Sequence, residues 1–312
     1  MALERTKRAV LRLSPPFLRD TLVRSWRWVR RRWIKLDPDG VDQGAFEAAL
    51  RAVGIVRGDT LMVHSSLSSF GHVKGGPEVV LRALMESVGP EGTLVFPTFS
   101  IPGSMLERLA DPTYVFDPAT TPSRMGAISE AFRKLPGVRR NHHPTHSIAV
   151  WGRNQDRLLG GEDLTFPTNF GPGTAMGRLA DVGGKIVGLG ISLGPVTYYH
   201  CFEDHHLERF PGVYLPDRVS ARIQTPEGVI TSRILVHAPD YHARRVDKDP
   251  AIEAFVRAFF DSRGVRRAAQ LGRSGVWAVA CADFLRMVDL MQQEGATIYS
   301  TPSASMQPLS PS

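Results

Sequence analysis

Four short apolar runs, each closed by turn residues, constrain this chain most. They read DTLMVHSSL at 59–67, TLVFPTF at 93–99, SIAVWG at 147–152 and KIVGLG at 185–190. Apolar runs of this length, bounded by turn signals, predict strands buried on both faces. Helical patterns stand between them. One covers 42–53 after an Asp-Pro-Asp-Gly turn, another runs from Pro77 to Val88 and is closed by Gly89-Pro90, and a third covers 121–135, with Thr and Ser available for capping. Strands alternating with helices imply a layered α/β fold. Residues 100–121, aperiodic and rich in Pro and Gly, read as a long loop. RVSARIQ and VITSRILVH flank Thr-Pro-Glu-Gly, a hairpin signal, and helical patterns at 250–262 and 275–293 close a domain spanning 37–300. The polar, proline-rich tail at 301–312 is expected to be disordered.

The net charge of +7 suggests nucleic acid until it is located. Residues 1–36 hold eleven Lys/Arg and two acids, so this arm carries +9 and the body −2. A faintly acidic body argues against a nucleic-acid groove and leaves room for a cationic substrate. In the arm, Leu18, Leu22, Trp26, Val29 and Trp33 recur at helical spacing, while Arg19, Arg24, Arg27 and Arg31 fall elsewhere on the wheel. Such a basic amphipathic helix either lies on an anionic membrane face or packs on the protein's own body, and both readings stay open. No apolar run reaches the roughly 20 residues that span a bilayer, and two cysteines are too few for a disulfide framework. A cytoplasmic protein, possible membrane contact through the arm included, is the expectation.

Three segments carry chemistry. In VTYYHCFED at 196–204, Thr197, His200 and Glu203 or Asp204 share one helical stripe, and a histidine beside a carboxylate is a ready general base. His64, Ser65, Ser66, Leu67, Ser68 and Ser69 close the first strand and precede two glycines and a helix. Backbone N–H groups and hydroxyls at such a strand end can bind a pantetheine chain or pyrophosphate. Arg140, His146 and Ser147 belong to RRNHHPTHS, where guanidiniums suit phosphate groups. No metal is expected, because His-Glu-x-x-His is absent and Asp204 interrupts the inverted His-x-x-Glu-His. Cys201 points about 100° away from His200 on a helix and reads as core. Gly190-Ile191-Ser192-Leu193-Gly194 matches a serine hydrolase's nucleophile elbow, with a strand expected before it and a helix after, and Asp217 or Asp240 and then His242 follow in hydrolase order. On the residues alone, hydrolase and His-base transferase both remain.

Residues 45–290 resemble the aminoglycoside 3-N-acetyltransferase family. The matching blocks are VHSSLSSFGHVKGG, GPEGTLVFPTFS, FDPATTPSRMGAISEAFRKLPGVRR, HPTHSIAVWG, FGPGTAMGRL and KIVGLGISLGPVTYYHCFE, in this order. The resemblance implies a three-layer α/β fold distinct from the GNAT fold, and direct acetyl transfer from acetyl-CoA to an amine with His200 as base. It turns the Ser192 segment into a loop rather than an elbow. It also implies a role for Asp240, matched to a downstream family aspartate, while an amino-sugar acceptor would need the acidic residues Asp111, Asp117 and Asp204. The family's Arg-Ser before His-Pro is here Arg140-Asn141 with an extra His142, and its Gly-Ser-Pro is Gly173-Thr174-Ala175.

Overall fold

The computed structural model describes residues 40–101, 104–161, 164–246 and 249–300. The basic arm at 1–36 and the tail at 301–312 lie outside the described residues.

In chain order the elements are α1 (Gln43–Ala52), β1 (Thr60–Ser65), α2 (Gly76–Val88), β2 (Thr93–Pro97), α3 (Met105–Ala110), α4 (Ala127–Phe132), β3 (Arg139–Arg140), β4 (Ile148–Gly152), α5 (Gln155–Leu159), β5 (Lys185–Leu189), α6 (Tyr199–His205), β6 (Val219–Thr225), β7 (Gly228–Ile234), α7 (Pro239–Ala243), α8 (Pro250–Ser262), β8 (Arg267–Leu271), β9 (Ser274–Ala280) and α9 (Cys281–Gln293). Seven strands form one sheet in the order β3-β4-β2-β1-β5-β9-β8. Its centre, β2-β1-β5, is parallel, and antiparallel β4 and β9 flank it.

Alternation along the central strands fills both faces. Met62, Val95, Ile186, Trp277 and Val279 join α6, α8 and α9 in one core. Leu61, Val63, Leu94, Phe96 and Val187 join α1, α2 and α4 in the other. The result is the expected three-layer α/β arrangement. The β6–β7 hairpin forms a separate small sheet, held to the body by Phe116 and packed with residues of α3.

Several boundaries differ from the sequence reading. The helix expected over 121–135 is confined to α4, because Ser123 and the Arg133 side chain are both tied to Glu130 in a turn-rich approach. The pattern at 275–293 is two elements, β9 and then α9. Val276, Trp277, Ala278 and Val279 are buried on alternate sheet faces, so a continuous apolar run imitated a helical period. Partly polar β8 escaped notice as an edge strand, and the loop 100–121 contains α3, capped by Ser104 accepting from Glu107 N–H. The hairpin and the helices at 42–53, from Pro77 to Val88 and at 250–262 form as expected.

Two glycines, one within β5 and one at its exit, set the path of the chain toward α6. A Cβ at Gly188 would lie 2.1 Å from the Trp277 ring, so only glycine lets that indole cross β5. Trp277 Nε1 then donates to Ile191 O at 2.8 Å, fixing the chain as it leaves the sheet. Gly190 turns there with φ +70°.

Candidate active site

Helix α6 follows β5 after an irregular stretch, and its first turn delivers His200 to a cavity of about 460 Å³ beyond the ends of the interior strands. His200 is 5% exposed and Glu203 2%, one turn apart. Nδ1 of His200 lies 2.5 Å from Glu203 Oε2. Glu203 lines a separate crevice against α9 and not the cavity, so the carboxylate holds the imidazole from behind. The other ring nitrogen, Nε2, meets Arg245 Nη1 at 3.2 Å. A guanidinium has donors only, so Nε2 presents its lone pair and Nδ1 carries the proton toward Glu203.

The ring is framed by aromatics. Phe170 stacks on His200 at 5.3 Å between centroids and His237 lies at 4.8 Å. His146 stands edge-on to Phe99 and Phe170. It separates the 460 Å³ cavity from a second one of about 200 Å³ lined by Asn169, Thr174 and Arg178. Burial, reinforced by neighbouring imidazoles, holds the His146 and His237 pKa values well below the ordinary range. Both rings are therefore neutral at physiological pH.

The remaining residues singled out in the sequence divide sharply. Thr197 lines the cavity, and its carbonyl accepts from His200 N–H. Asp204 does not face the cavity: it accepts from Phe170 N–H at 2.6 Å and from Tyr214 Oη at 2.7 Å, and so holds the ring that stacks on His200. Asp240 sits exposed on α7, while its neighbours Pro239, His242 and Ala243 line the cavity. Asp111 accepts from Thr113 N–H and Oγ1, and Asp117 accepts from Ala119 N–H and Thr120 Oγ1, so both close local turns away from the cavity. The short polar turns at 111–113 and 117–120 consumed these carboxylates, a partner choice that spacing does not reveal.

Arg140 is likewise committed. Its guanidinium donates to the carbonyls of Thr98 and Thr121 and to Ser147 Oγ, and stacks over Phe116. Ser147 Oγ donates in turn to Thr98 O at 3.0 Å. This latch ties β2 to β4 and leaves neither group for a ligand. His143 is locked too, with Nε2 against Asn169 Oδ1 at 3.0 Å and Nδ1 accepting from His146 N–H at 3.1 Å. His64 points from β1 into the core, its Nε2 without a hydrogen bond, and burial lowers its pKa to about 4.

Ser65, Ser66, Leu67 and Ser68 instead line a surface groove of about 1010 Å³ with Gly75, Gly76, Arg124 and Gly126. Ser69 donates to Ser66 Oγ at 2.8 Å and supports the turn. No side chain caps the first turn of the 13-residue α2, which opens at this groove. Arg124 is exposed there and has no ion-pair partner among the described residues. Phe99 links groove and cavity: its ring lines the cavity, and its carbonyl accepts from Arg124 N–H at 2.8 Å.

His200, Glu203 and His237 bring ligand-type atoms within 4.8 Å of one another, but the Arg245 guanidinium already occupies the approach to His200 Nε2. Ser192 lies in an irregular stretch, and α6 begins seven residues beyond it rather than directly after the turn as a nucleophile elbow requires. Cys201 is buried in the core, and burial pushes its thiol pKa well up. His237, Arg245 and Arg124 escaped the sequence reading. Each stood alone among hairpin or charged residues, and only Arg124, inside the TPSRMG block, carried a local signal.

A layered α/β protein with a buried His–Glu pair facing a cavity, beside a serine- and glycine-lined groove, has the parts of a group-transfer enzyme. The profile of the family described as aminoglycoside 3-N-acetyltransferase matches residues 62–293, and the chain belongs to that family. It is 33% identical over 169 residues to the SPbeta prophage-derived aminoglycoside N(3')-acetyltransferase-like protein YokD of Bacillus subtilis, an alignment covering 49% of this chain and 61% of YokD. Aminoglycoside N(3)-acetyltransferase VIII of Streptomyces fradiae is 31% identical over 172 residues, 51% of this chain and 59% of the relative. The chain thus spans about three-fifths of these relatives. The crystal structure of aminoglycoside acetyltransferase AAC(3)-Xa superposes with a TM-score of 0.70 at 24% identity, covering 86% of this chain and 98% of that one, and shows the same fold.

Proposed function

We propose that this protein transfers an acetyl group from acetyl-CoA to the primary amine of a small acceptor, with His200 as general base. The carrying observation is the His200–Glu203 pair, its Nε2 at the cavity wall beside Arg245, which gives way to the acceptor nitrogen, in a chain of this family. Acetyl-CoA would supply the thioester. As the acceptor's N–C bond forms, His200 Nε2 takes the proton the nitrogen gives up, and Glu203 steadies the imidazolium through Nδ1. The C–S bond then breaks, and the same proton can pass to the leaving sulfur. Placing amine and thioester together supplies most of the rate gain.

The groove fits the donor's chemistry. The uncapped N-terminus of α2, the Ser65, Ser66 and Ser68 region and the Arg124 guanidinium suit phosphates and an amide-bearing arm, with Arg124 in the role that sequence alone suggested for Arg140. The basic arm at 1–36 is proposed to add reversible attachment to an anionic membrane face.

The test is coenzyme A thiol release with a panel of amines. His200→Ala should lower kcat by at least roughly 100-fold while calorimetry shows coenzyme A binding retained. Near-normal turnover in that variant, with Ser192→Ala inactive, would move the protein to the hydrolases.

A further inference from the structure

The turn at 296–300, just past α9, reaches the site from behind. Thr297 and Ile298 line the same crevice as Glu203. Thr297 N–H donates to Ser300 Oγ and Tyr299 N–H to Thr297 Oγ1, each at 3.0 Å, so the turn is braced by its own side chains. Ile298 O accepts from Val246 N–H at 2.8 Å, one residue from Arg245. The Tyr299 ring stands edge-on to Tyr241 of α7, with 4.7 Å between centroids. One turn thus meets the chain beside both partners of the His200 imidazole, and it lies beyond residues 62–293, which the family profile matches.

Tyr299 Oη is buried, and Glu203 is the charge that faces it. Burial raises the phenol's pKa, and the Glu203 carboxylate raises it further, as a neighbouring charge and as a hydrogen-bond acceptor. The hydroxyl therefore keeps its proton and can donate it to a hydrogen bond. The contact is looser than an ordinary hydrogen bond, because Oη has no partner within those limits. A carboxylate only 2% exposed needs more than one donor, since its two oxygens have lost water at about four acceptor sites. His200 Nδ1 serves one of them. We propose that Tyr299 is a positioning residue: its O–H closes on the Glu203 carboxylate and fixes it against His200 Nδ1, while the 296–300 turn ties that hold to the Arg245 segment.

This inference rests on His200 as the base of acetyl transfer, and one of its readouts needs no turnover. Tyr299→Phe keeps the ring against Tyr241 and removes only the hydroxyl. In the full chain the Nδ1 proton of His200 should give a low-field proton NMR resonance, assigned by its loss in His200→Ala. In Tyr299→Phe that resonance should move further downfield, because a carboxylate that has lost one donor accepts the remaining one more strongly. An unmoved resonance overturns the inference. Coenzyme A thiol release then closes a double-mutant cycle. Tyr299→Phe should lower kcat about fivefold with acceptor KM changed less than about twofold, and should change kcat less than about twofold in a Glu203→Gln background. Equal losses in both backgrounds would show Tyr299 acting on the fold rather than through Glu203, and would also overturn it. A moved resonance in a chain that acetylates no amine would sink the transferase reading and leave the hold of Tyr299 on Glu203 standing.

Discussion

Arg245 Nη1 stands 3.2 Å from His200 Nε2, opposite the 2.5 Å contact of Nδ1 with Glu203. The imidazole is thus held at both nitrogens, and a donor-only group at Nε2 with an acceptor-only group at Nδ1 selects one neutral tautomer. Arg245 is a positioning residue in this account. Arg245→Ala should lower kcat about tenfold with a smaller change in acceptor KM, and Arg245→Gln, which keeps a donor, should recover part of the loss. A pure KM effect in steady-state assays would make Arg245 a binding group instead.

Asp204 separates a structural carboxylate from an acceptor-binding one. Asp204→Ala leaves the buried Phe170 N–H without its partner and strands the Tyr214 hydroxyl, which should cost about 2–4 kcal/mol in a urea denaturation. Asp204→Asn preserves an acceptor for Phe170 and a polar partner for Tyr214, so acceptor KM should change less than about threefold. A tenfold rise in KM with normal stability would return Asp204 to the acceptor site.

His64 and His143 make stability depend on acid. Burial holds both pKa values down to about 4, for His143 against the opposing bond to Asn169, whereas an unfolded chain protonates histidine near 6.5. Between these values the unfolded state binds more protons. The contribution of the neutral rings is therefore complete above about pH 6.5 and is lost as the pH falls toward 4, up to about 3 kcal/mol for each ring. Urea midpoints measured from pH 7.5 to 4.5 should fall steadily below 6.5, and His64→Leu should flatten that slope. An unchanged slope in His64→Leu would show that His64 is not held neutral by the fold.

These residues also mark what the sequence could tell. Strands β1, β2, β4 and β5 were legible because an apolar run between turn residues has one reading at the centre of a sheet. Strand β9 was not, since Val276, Trp277, Ala278 and Val279 run into a true helix without a break. In the site, His200 and Glu203 were legible because residues three apart share a helix face. His237 and Arg245 come from the hairpin exit and the end of α7, about forty residues downstream, and only tertiary folding gives them a common target. The acids misled for a related reason: a carboxylate in a sequence does not show whether a backbone N–H will claim it. Arg140 misled in the same way, its donors going to the carbonyl of Thr98, just past β2, and to those of Pro118 and Thr121.

Gly188 offers a packing test close to the site. Gly188→Ala would set a Cβ 2.1 Å from Trp277, between two paired strands that cannot part. Overpacking of this kind costs about 1–3 kcal/mol. Because Trp277 anchors Ile191, the substitution should also lower activity beyond the stability loss, read as a reduced kcat at a temperature where the variant remains folded. Full activity in a destabilised variant would uncouple the Trp277 anchor from the site.

The arm at 1–36 gives the last prediction. Its +9 charge and its Trp26, Val29, Trp33 stripe are the composition of a helix that lies at a lipid surface, with basic residues on one side and aromatics at headgroup depth. Each Lys or Arg near an anionic surface contributes about 1 kcal/mol, so several acting together exceed what a single docking contact offers, and apolar burial adds to them. Among the described residues no helix is long and apolar enough to cross a membrane. Co-sedimentation with vesicles containing phosphatidylserine should pellet the full chain, should weaken as salt is raised to 0.5 M, and should fail with neutral phosphatidylcholine vesicles. A version beginning at Leu36 should stay in the supernatant and keep its turnover of a water-soluble amine. Equal pelleting of both versions would place the contact on the body, and no pelleting of either would assign the apolar stripe to packing against the protein itself.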